Sequence, residues 1–477
     1  METKKIAGFV LGPLVFLLLL LFPVPGVNIQ AARLAAVIAL VVVLWITEAI
    51  PLAASALLGS GLAVVLGVAG AGKVLAPYAN KIIFLFLGAF MIGRAMTRHG
   101  LDERIASGLT SWSWVRSSKL RTVIAMAMVG LFLSMWISNT AATIIIIPIA
   151  MAALKSKRIT PLHSFAALSA AFAANIGGIA TPVGTPPNLI AIGFLDQMKQ
   201  PAPDFFSWMV IGVPIAVVMG LVLILTRGII FRHSKSEQEA AEQETPPGPW
   251  TVGEISVMVI FALVALLWVM PGVLKIAFGH HAPITLWFKG HLNESVVAIL
   301  GAVALFFAPG SLGPYKPVLT WKEAADIDWG TILLFGGGLS MGGLMLSTGM
   351  GKAIGGWLVH STGAHSLITV TILSVIIGKV LTELISNTAT ANMLVPVAYS
   401  LAMILHVNPV PPVVGVALGT GLAFLLPVST PPNAVAYGTG AVTLSKMIKW
   451  GIIMDIAALI VIIGHLTLLI HLGFFGG

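Results

Sequence analysis

The chain has 477 residues, 58% of them hydrophobic and only 9% charged, with a formal net charge of +9 and no cysteine. A mean hydropathy of +1.01 excludes a soluble globular or disordered chain and leaves a polytopic membrane protein. Without cysteine there are no disulfides, thiolate metal sites or cysteine nucleophiles. The basic residues lie in short loops between apolar runs, where positive-inside bias puts them without any nucleic-acid partner.

The first apolar run, "VLGPLVFLLLLLF", follows Lys4 and Lys5. No A-x-A-like cleavage site follows "LFPVPGVN" and more spans come directly after, so residues 1–31 are expected to be a retained extra span rather than a signal peptide. "AAVIALVVVLWI", "SVMVIFALVALLWVM" and "GIIMDIAALIVIIGHLTLLI" approach or reach the roughly 20 apolar residues that cross a bilayer as helix. They lack the alternation of a membrane β-barrel.

An internal repeat organises the rest. "FLGAFMIGRAM" from Phe86 returns as "FGGGLSMGGLM" from Phe335. "WISNTAATIIIIPIA" (136–150) returns as "LISNTATANMLVPVA" (384–398), and "TPVGTPPNLIAIG" (181–193) as "LPVSTPPNAVAYG" (426–438). The offsets are 249, 248 and 245, in one order. Between the halves "RHSKSEQEAAEQETPPGPW" (232–250) reads as a polar cytoplasmic linker, leaving repeats over 32–231 and 251–477.

Basic residues flank the first SNTA segment on both sides: Arg94, Arg98, Arg104, Arg116, Lys119 and Arg121 before it, and Lys155, Lys157 and Arg158 after it. Both ends then face the cytoplasm, which predicts a re-entrant helical hairpin near 119–154 with Ser-Asn-Thr at its tip. Its counterpart near 365–405 has only Lys352 nearby and is expected to enter from outside. The loops at Arg227, Arg232 and Lys235, then Lys316 and Lys322, then Lys446 and Lys449, fall on the cytoplasmic side. The count is eleven spans and two hairpins in two inverted repeats, amino terminus inside and carboxyl terminus outside. Inverted repeats of this kind place a substrate at mid-membrane, between broken helices.

Pro186 and Pro187, like Pro431 and Pro432, stop a helix in mid-span, and the freed backbone groups there need partners. Ser138, Asn139 and Thr140, like Ser386, Asn387 and Thr388, can cap the helix that follows each tip. Helix N-termini after the tips and after the proline pairs favour an anion, especially a carboxylate. No Arg or Lys lies inside the four motifs, so bound cations are expected to offset a dianion's charge. Hydroxyl, Asn and backbone oxygens suit sodium. Ser134 and Thr382 stand one turn before each tip, so symmetry gives one sodium site per hairpin.

With "WITEAIPL" (45–52), both SNT motifs and both proline breaks, the chain resembles the divalent-anion/sodium symporter family along nearly its whole length. These are carriers of dicarboxylates, citrate and, in some members, sulfate. The resemblance implies a homodimer in the inner (plasma) membrane, each protomer moving a transport domain like an elevator against a scaffold domain. It implies carboxylate contacts at Ser138, Asn139, Thr140, Ser386, Asn387 and Thr388, with Thr185, Pro186, Thr430 and Pro431 lining the pocket. It places one sodium around Ser134, Ser138, Asn139 and Gly184, and a second around Thr382, Asn387 and Ser429. No cofactor is implied beyond sodium as the coupling ion. Some members exchange anions without sodium; "SNTAAT" and "SNTATA" incline the reading to sodium-coupled import of succinate, malate or fumarate.

Other residues carry blander readings. Lys379 and Glu383, as intramembrane charges, are functional candidates, and their spacing favours a self-neutralising i, i+4 pair that holds the second hairpin. Glu48 and Asp455 are candidate proton carriers, but Glu48 lies near a predicted cytoplasmic turn before Pro51 and Asp455 nearer a span's first turn, where the helix dipole suffices to stabilise it. "GLSMG" (338–342) matches the G-x-S-x-G nucleophile pattern of a hydrolase, yet its repeat counterpart has no serine, and its glycines suit close helix packing. The histidines lack metal-ligand spacing, and "NES" (293–295) is a chance-level glycosylation match.

Overall fold

The computed structural model describes residues 2–23, 27–154, 159–231, 239, 248–312, 315–363 and 365–476. Most of the linker expected over 232–250, and Lys155, Lys157 and Arg158, thus lie outside the described residues. The described chain is helical, with one isolated bridge between Pro309 and Pro317. Seven of its helices are long and apolar enough to cross a membrane. The longest, Leu444–His471, has 28 residues and is capped by the Thr443 side chain on the Lys446 N–H. Val252–Phe278 starts at a capping box in which Thr251 and Glu254 satisfy each other's backbone N–H groups.

The elements occur in the same order twice. Ile29–Thr47, Leu52–Val65, Lys81–Arg98 and the short Leu101–Thr110 are followed by the paired helices Lys119–Ser134 and Asn139–Ala152. Then come Pro161–Gly178, an interruption, Pro186–Gln197 and the long Phe205–Leu225. In the second half the order is Val252–Phe278, Glu294–Phe307, Trp329–Ser347, Met350–Thr362, the paired helices Leu367–Thr382 and Asn387–Ile404, Val410–Gly421, an interruption, Pro431–Gly438 and Leu444–His471. A short helix, Pro283–His291, stands before Glu294.

Each SNT sequence makes a helix–turn–helix. Lys119–Ser134 and Asn139–Ala152 have 16 and 14 residues, roughly 24 and 21 Å of helix, short of a hydrocarbon core of about 30 Å. The two halves interlock. Glu294–Phe307 packs on Lys81–Arg98 as Leu52–Val65 packs on Trp329–Ser347, and Phe205–Leu225 lies against Leu444–His471. Within each half the first hairpin helix lies along the first piece of the interrupted span. Glycine makes the approach close: a Cβ on Gly177 would stand 2.0 Å from the Leu131 carbonyl oxygen, and one on Gly419 2.6 Å from that of Val375.

Glu48 ends Ile29–Thr47 in the left-handed conformation, φ 50°, at the turn before Pro51. Asp455 does not sit in a first turn. Its helix begins seven residues before the apolar run "GIIMDIAALI", at Leu444 where Thr443 caps it, and this puts Asp455 about three turns in. There the helix dipole gives it no support, and it is buried beside Lys379 instead.

Candidate functional site

The tip of the first hairpin is held by a short hydrogen bond, Ser134 Oγ to Asn139 Oδ1 at 2.6 Å. The second tip repeats it with Thr382 Oγ1 and Asn387 Oδ1, also at 2.6 Å. Each bond spans five residues and closes the helix–turn–helix across its corner. Ser138 caps its helix by accepting the Ala141 N–H at 3.2 Å, whereas the Ser386 side chain makes no such cap. Thr143 and Thr390 turn their hydroxyls back onto the carbonyls of Asn139 and Ser386. Ser138 is exposed, and Asn139, Thr140, Ser386, Asn387 and Thr388 are half-buried, although the helices around them are largely buried. The polar tips therefore keep part of their surface uncovered.

The interruptions are built by proline and clipped by asparagine. Thr185 and Thr430 are the N-caps of helices whose first residues are Pro186 and Pro431, the position where a missing N–H costs nothing. Asn188 donates through Nδ2 to the carbonyls of Gly178, 3.0 Å, and Thr181, 2.8 Å. Asn433 does the same to Ala423 and Leu426, both at 3.2 Å. The four acceptors stand at the repeat offset, so one clip has been kept in both halves. Sequence reasoning passed over both asparagines, although the duplicated "TPPN" contains them. It also missed Asn175, whose Nδ2 lies within 3.1 Å of Ala423 O and Thr430 Oγ1 and ties the first half to the second interruption.

The motifs come together across the halves. Asn139–Ala152, which starts at the first tip, packs against Pro431–Gly438 of the second interrupted span. Asn387–Ile404, which starts at the second tip, packs against Pro186–Gln197 of the first. A Cβ on Gly421 would touch Ile179 and Thr185, so the two interruptions also meet each other.

Around the first tip three of the residues expected to serve a cation, Ser134, Asn139 and Gly184, lie close together around Gly178. A Cβ on Gly178 would fall 2.5 Å from Asn139 Oδ1, and one on Gly184 2.5 Å from Gly178 O and 2.9 Å from Ser134 O. Only glycine fits at both positions, each lined by neutral oxygens. Around the second tip Thr382 Oγ1 reaches both Asn387 Oδ1 and the Thr420 carbonyl, 3.0 Å away. Ser429, buried, is occupied on one side: its hydroxyl stands 2.9 Å from both the backbone and the carboxylate oxygens of Glu383. The pair expected of Lys379 and Glu383 is formed, Nζ to Oε1 at 2.6 Å, and Asp455 joins it through Lys379.

Ser340, the serine of "GLSMG", donates to the Val74 carbonyl at 2.6 Å. Its flanking glycines accommodate neighbouring side chains, Gly338 against Asn392 and Gly342 against Phe194 and Pro396.

A profile described as "Citrate transporter" matches residues 42–411 and 284–475. The chain is similar to the sodium-dependent dicarboxylate transporter SdcS of Staphylococcus saprophyticus subsp. saprophyticus, 33% identical over 97% of this chain and 91% of that one. The SdcS protein of Staphylococcus aureus strain MRSA252 is 32% identical over 97% of this chain and 90% of its own length. Among solved structures the fold resembles the YdaH transporter of Alcanivorax borkumensis, with a TM-score of 0.56 at 14% identity, covering 85% of this chain and 89% of that one. It also resembles MtrF of Neisseria gonorrhoeae, with a TM-score of 0.52 at 14% identity, covering 83% and 82%.

Proposed function

We propose that this chain, which belongs to the citrate transporter family, imports C4-dicarboxylates such as succinate, malate and fumarate, driven by a sodium gradient. It is a multi-pass membrane transporter and not an enzyme. The observation that carries the dicarboxylate reading is the duplicated corner bond, Ser134 to Asn139 and Thr382 to Asn387. Each corner presents oxygens and a helix N-terminus, and each packs against the interrupted span of the opposite half. A small dianion fits between two such ends: each carboxylate meets backbone N–H groups and Ser, Asn or Thr side chains, and a sodium ion behind each tip offsets its charge. The relatives' sodium dependence supports the cation assignment.

In this reading Ser138, Asn139, Thr140, Ser386, Asn387 and Thr388 hold the carboxylates, with Thr185, Pro186, Thr430 and Pro431 along the wall. One sodium takes oxygens from Ser134, Ser138, Asn139 and Gly184, and the other from Thr382, Asn387 and Ser429. Eleven spans and two re-entrant hairpins form two inverted repeats over residues 32–231 and 251–477, after an extra span within 1–31. The amino terminus lies inside and the carboxyl terminus outside the inner membrane. The hairpins and interrupted spans move together as an elevator within a homodimer. The element order, occurring twice, supports the repeat; the family resemblance supports the elevator and the dimer.

The test is uptake of labelled succinate into proteoliposomes under an inward sodium gradient, with lithium, potassium and internal-dianion controls. Sodium-driven uptake into vesicles without internal dianion is expected. Uptake that ignores sodium and requires internal dianion would make the protein an exchanger. Because the family profile is described by citrate, unlabelled citrate and sulfate belong among the competitors, and stronger competition by either than by fumarate would reassign the substrate.

A further inference from the structure

The two interruptions are built alike at their asparagine clips but differ in how they satisfy their backbone. Both keep one turn bond, Gly184 N to Thr181 O at 3.4 Å and its counterpart Ser429 N to Leu426 O at 3.1 Å, but in the first Ala180 also donates inward, to Gly177 O at 3.0 Å. In the second, Val410–Gly421 ends in an extended residue, Leu422, φ −114° and ψ 109°. Two N–H groups beyond Ala423 leave the turn: Phe424 N donates to Glu383 Oε1 and Leu425 N to Glu383 Oε2, both at 3.0 Å. Ser429 Oγ stands 2.9 Å from Oε2 as well, and Lys379 Nζ closes the set on Oε1 at 2.6 Å. One buried carboxylate, 5% exposed, thus takes two consecutive backbone donors, a hydroxyl and an ammonium.

This reaches beyond an i, i+4 pair that neutralises itself. Glu383 stands at the hairpin tip, three residues before Ser386, and its acceptors hold a segment some forty residues away. Its backbone carbonyl also lies 2.9 Å from Ser429 Oγ. At the repeat offset of 248 the counterparts of Lys379 and Glu383 are Leu131 and Met135. Gly212 against Ile179 and Ala180 corresponds to Gly451 against Phe424 and Leu425, which makes Ala216 the counterpart of Asp455. The charged set is therefore an addition to one half, where the turn has opened. An extended segment inside a membrane protein needs partners for its N–H groups, and a carboxylate with two oxygens meets two consecutive donors at once.

We infer that Glu383 is a positioning residue for the second half of the binding site. Its carboxylate fixes the opened turn from Phe424 to Ser429, and with it the oxygens offered to the second cation and the N-terminus at Thr430 offered to the anion. Lys379 contacts the same carboxylate from one turn earlier, and Asp455 contacts Lys379 from the last helix, while the backbone donors set where the carboxylate lies. The inference rests on the transport reading above but not on its sodium coupling.

The experiment is labelled succinate uptake into proteoliposomes by the unaltered chain, Glu383→Gln, Glu383→Asp and the double variant Lys379→Met with Asp455→Asn. Sodium and succinate are each titrated, and each protein is first shown to be monodisperse. Gln replaces one acceptor oxygen with a donor, and Asp withdraws the carboxylate by one methylene. The half-saturating sodium concentration is expected to rise at least about tenfold in Glu383→Gln and about threefold in Glu383→Asp, with the rate at saturating sodium within about threefold of the unaltered chain. The double variant, which keeps the carboxylate on its backbone donors, is expected to stay within about threefold in half-saturation. A lower rate at unchanged half-saturation in either Glu383 variant overturns the inference, since a residue serving the fold alone gives that result. Recovery of neither in folded form would make Glu383 a residue of the fold and overturn the inference, as would a tenfold rise in the double variant, which would assign the effect to the charge of the set and not to the clamp. If the unaltered chain carries its dianion without sodium, sodium coupling alone fails, and the half-saturation of that dianion supplies the same comparison.

Discussion

At the scale of single residues the site depends on asparagines and on the glycines that admit them. Asn139 and Asn387 each accept a 2.6 Å hydroxyl bond at a hairpin corner. Asn139→Ala and Asn387→Ala are each expected to abolish uptake while the protein stays folded in detergent, and normal transport by either would refute the site assignment. Gly178→Ala makes a subtler case, because its Cβ would stand 2.5 Å from Asn139 Oδ1 and 2.8 Å from Nδ2. The side chain must swing away, so half-saturating sodium should rise about tenfold or more with little change in thermal unfolding. Asn188→Ala and Asn433→Ala act on the fold instead. Each removes two hydrogen bonds to backbone carbonyls, at a cost of roughly 2 kcal/mol, which denaturation in detergent will read. The SNT residues were legible from sequence because the motif recurs. The clips were not, because the acceptors of an asparagine amide are fixed by how the chain turns and not by its neighbours in sequence.

At the scale of elements the second hairpin and the last helix share a buried ionic set. Lys379 is 2% exposed and contacts both Glu383 and Asp455, while its ammonium lies 5.5 Å from the Phe424 ring centre. Lys379→Met leaves two carboxylates without their cation and is expected to cost about 3–5 kcal/mol. Adding Asp455→Asn should recover part of that loss, since one orphaned carboxylate is removed, and the two effects should be clearly non-additive in thermal unfolding. A double variant less stable than Lys379→Met alone would show that Asp455 is held by something other than Lys379. The i, i+4 pair was legible because helical spacing is local. Asp455 was misplaced because the apolar run marks where a helix meets lipid, whereas the helix starts at its cap, Thr443, among polar residues.

At the scale of the whole molecule the halves are interlocked, and this is where transport motion is tested. Trp329–Ser347 packs against Asn387–Ile404 and Pro186–Gln197, and Gln197 Nε2 donates to Leu339 O at 3.3 Å across that face. Lys81 and Asp196, 2.6 Å apart, join the first half's third helix to the interrupted span. The proposed elevator would slide the hairpins and interrupted spans past such helices and break these contacts in each cycle. A Cβ on Gly338 would lie 2.9 Å from Asn392 Cβ, a little inside the roughly 3.5–4.5 Å of a disulfide. The chain has no cysteine of its own, so Gly338→Cys with Asn392→Cys gives a single cross-link. Oxidation is expected to stop succinate uptake and reduction to restore it. Full transport by the oxidised protein would mean that these helices do not part.

The sequence by itself determined the class of the protein, its duplicated plan and the places where helices must stop. These are local consequences of composition, of proline's missing N–H and of a repeat read directly from the letters. The tertiary structure alone decided which tip meets which interruption, how asparagine and glycine close each corner, and that Glu383 holds an opened turn that its counterpart half lacks. The bonds that tie the halves and the opened turn join residues from about forty to more than two hundred positions apart, and only packing brings their donors and acceptors to 3.0 and 3.1 Å.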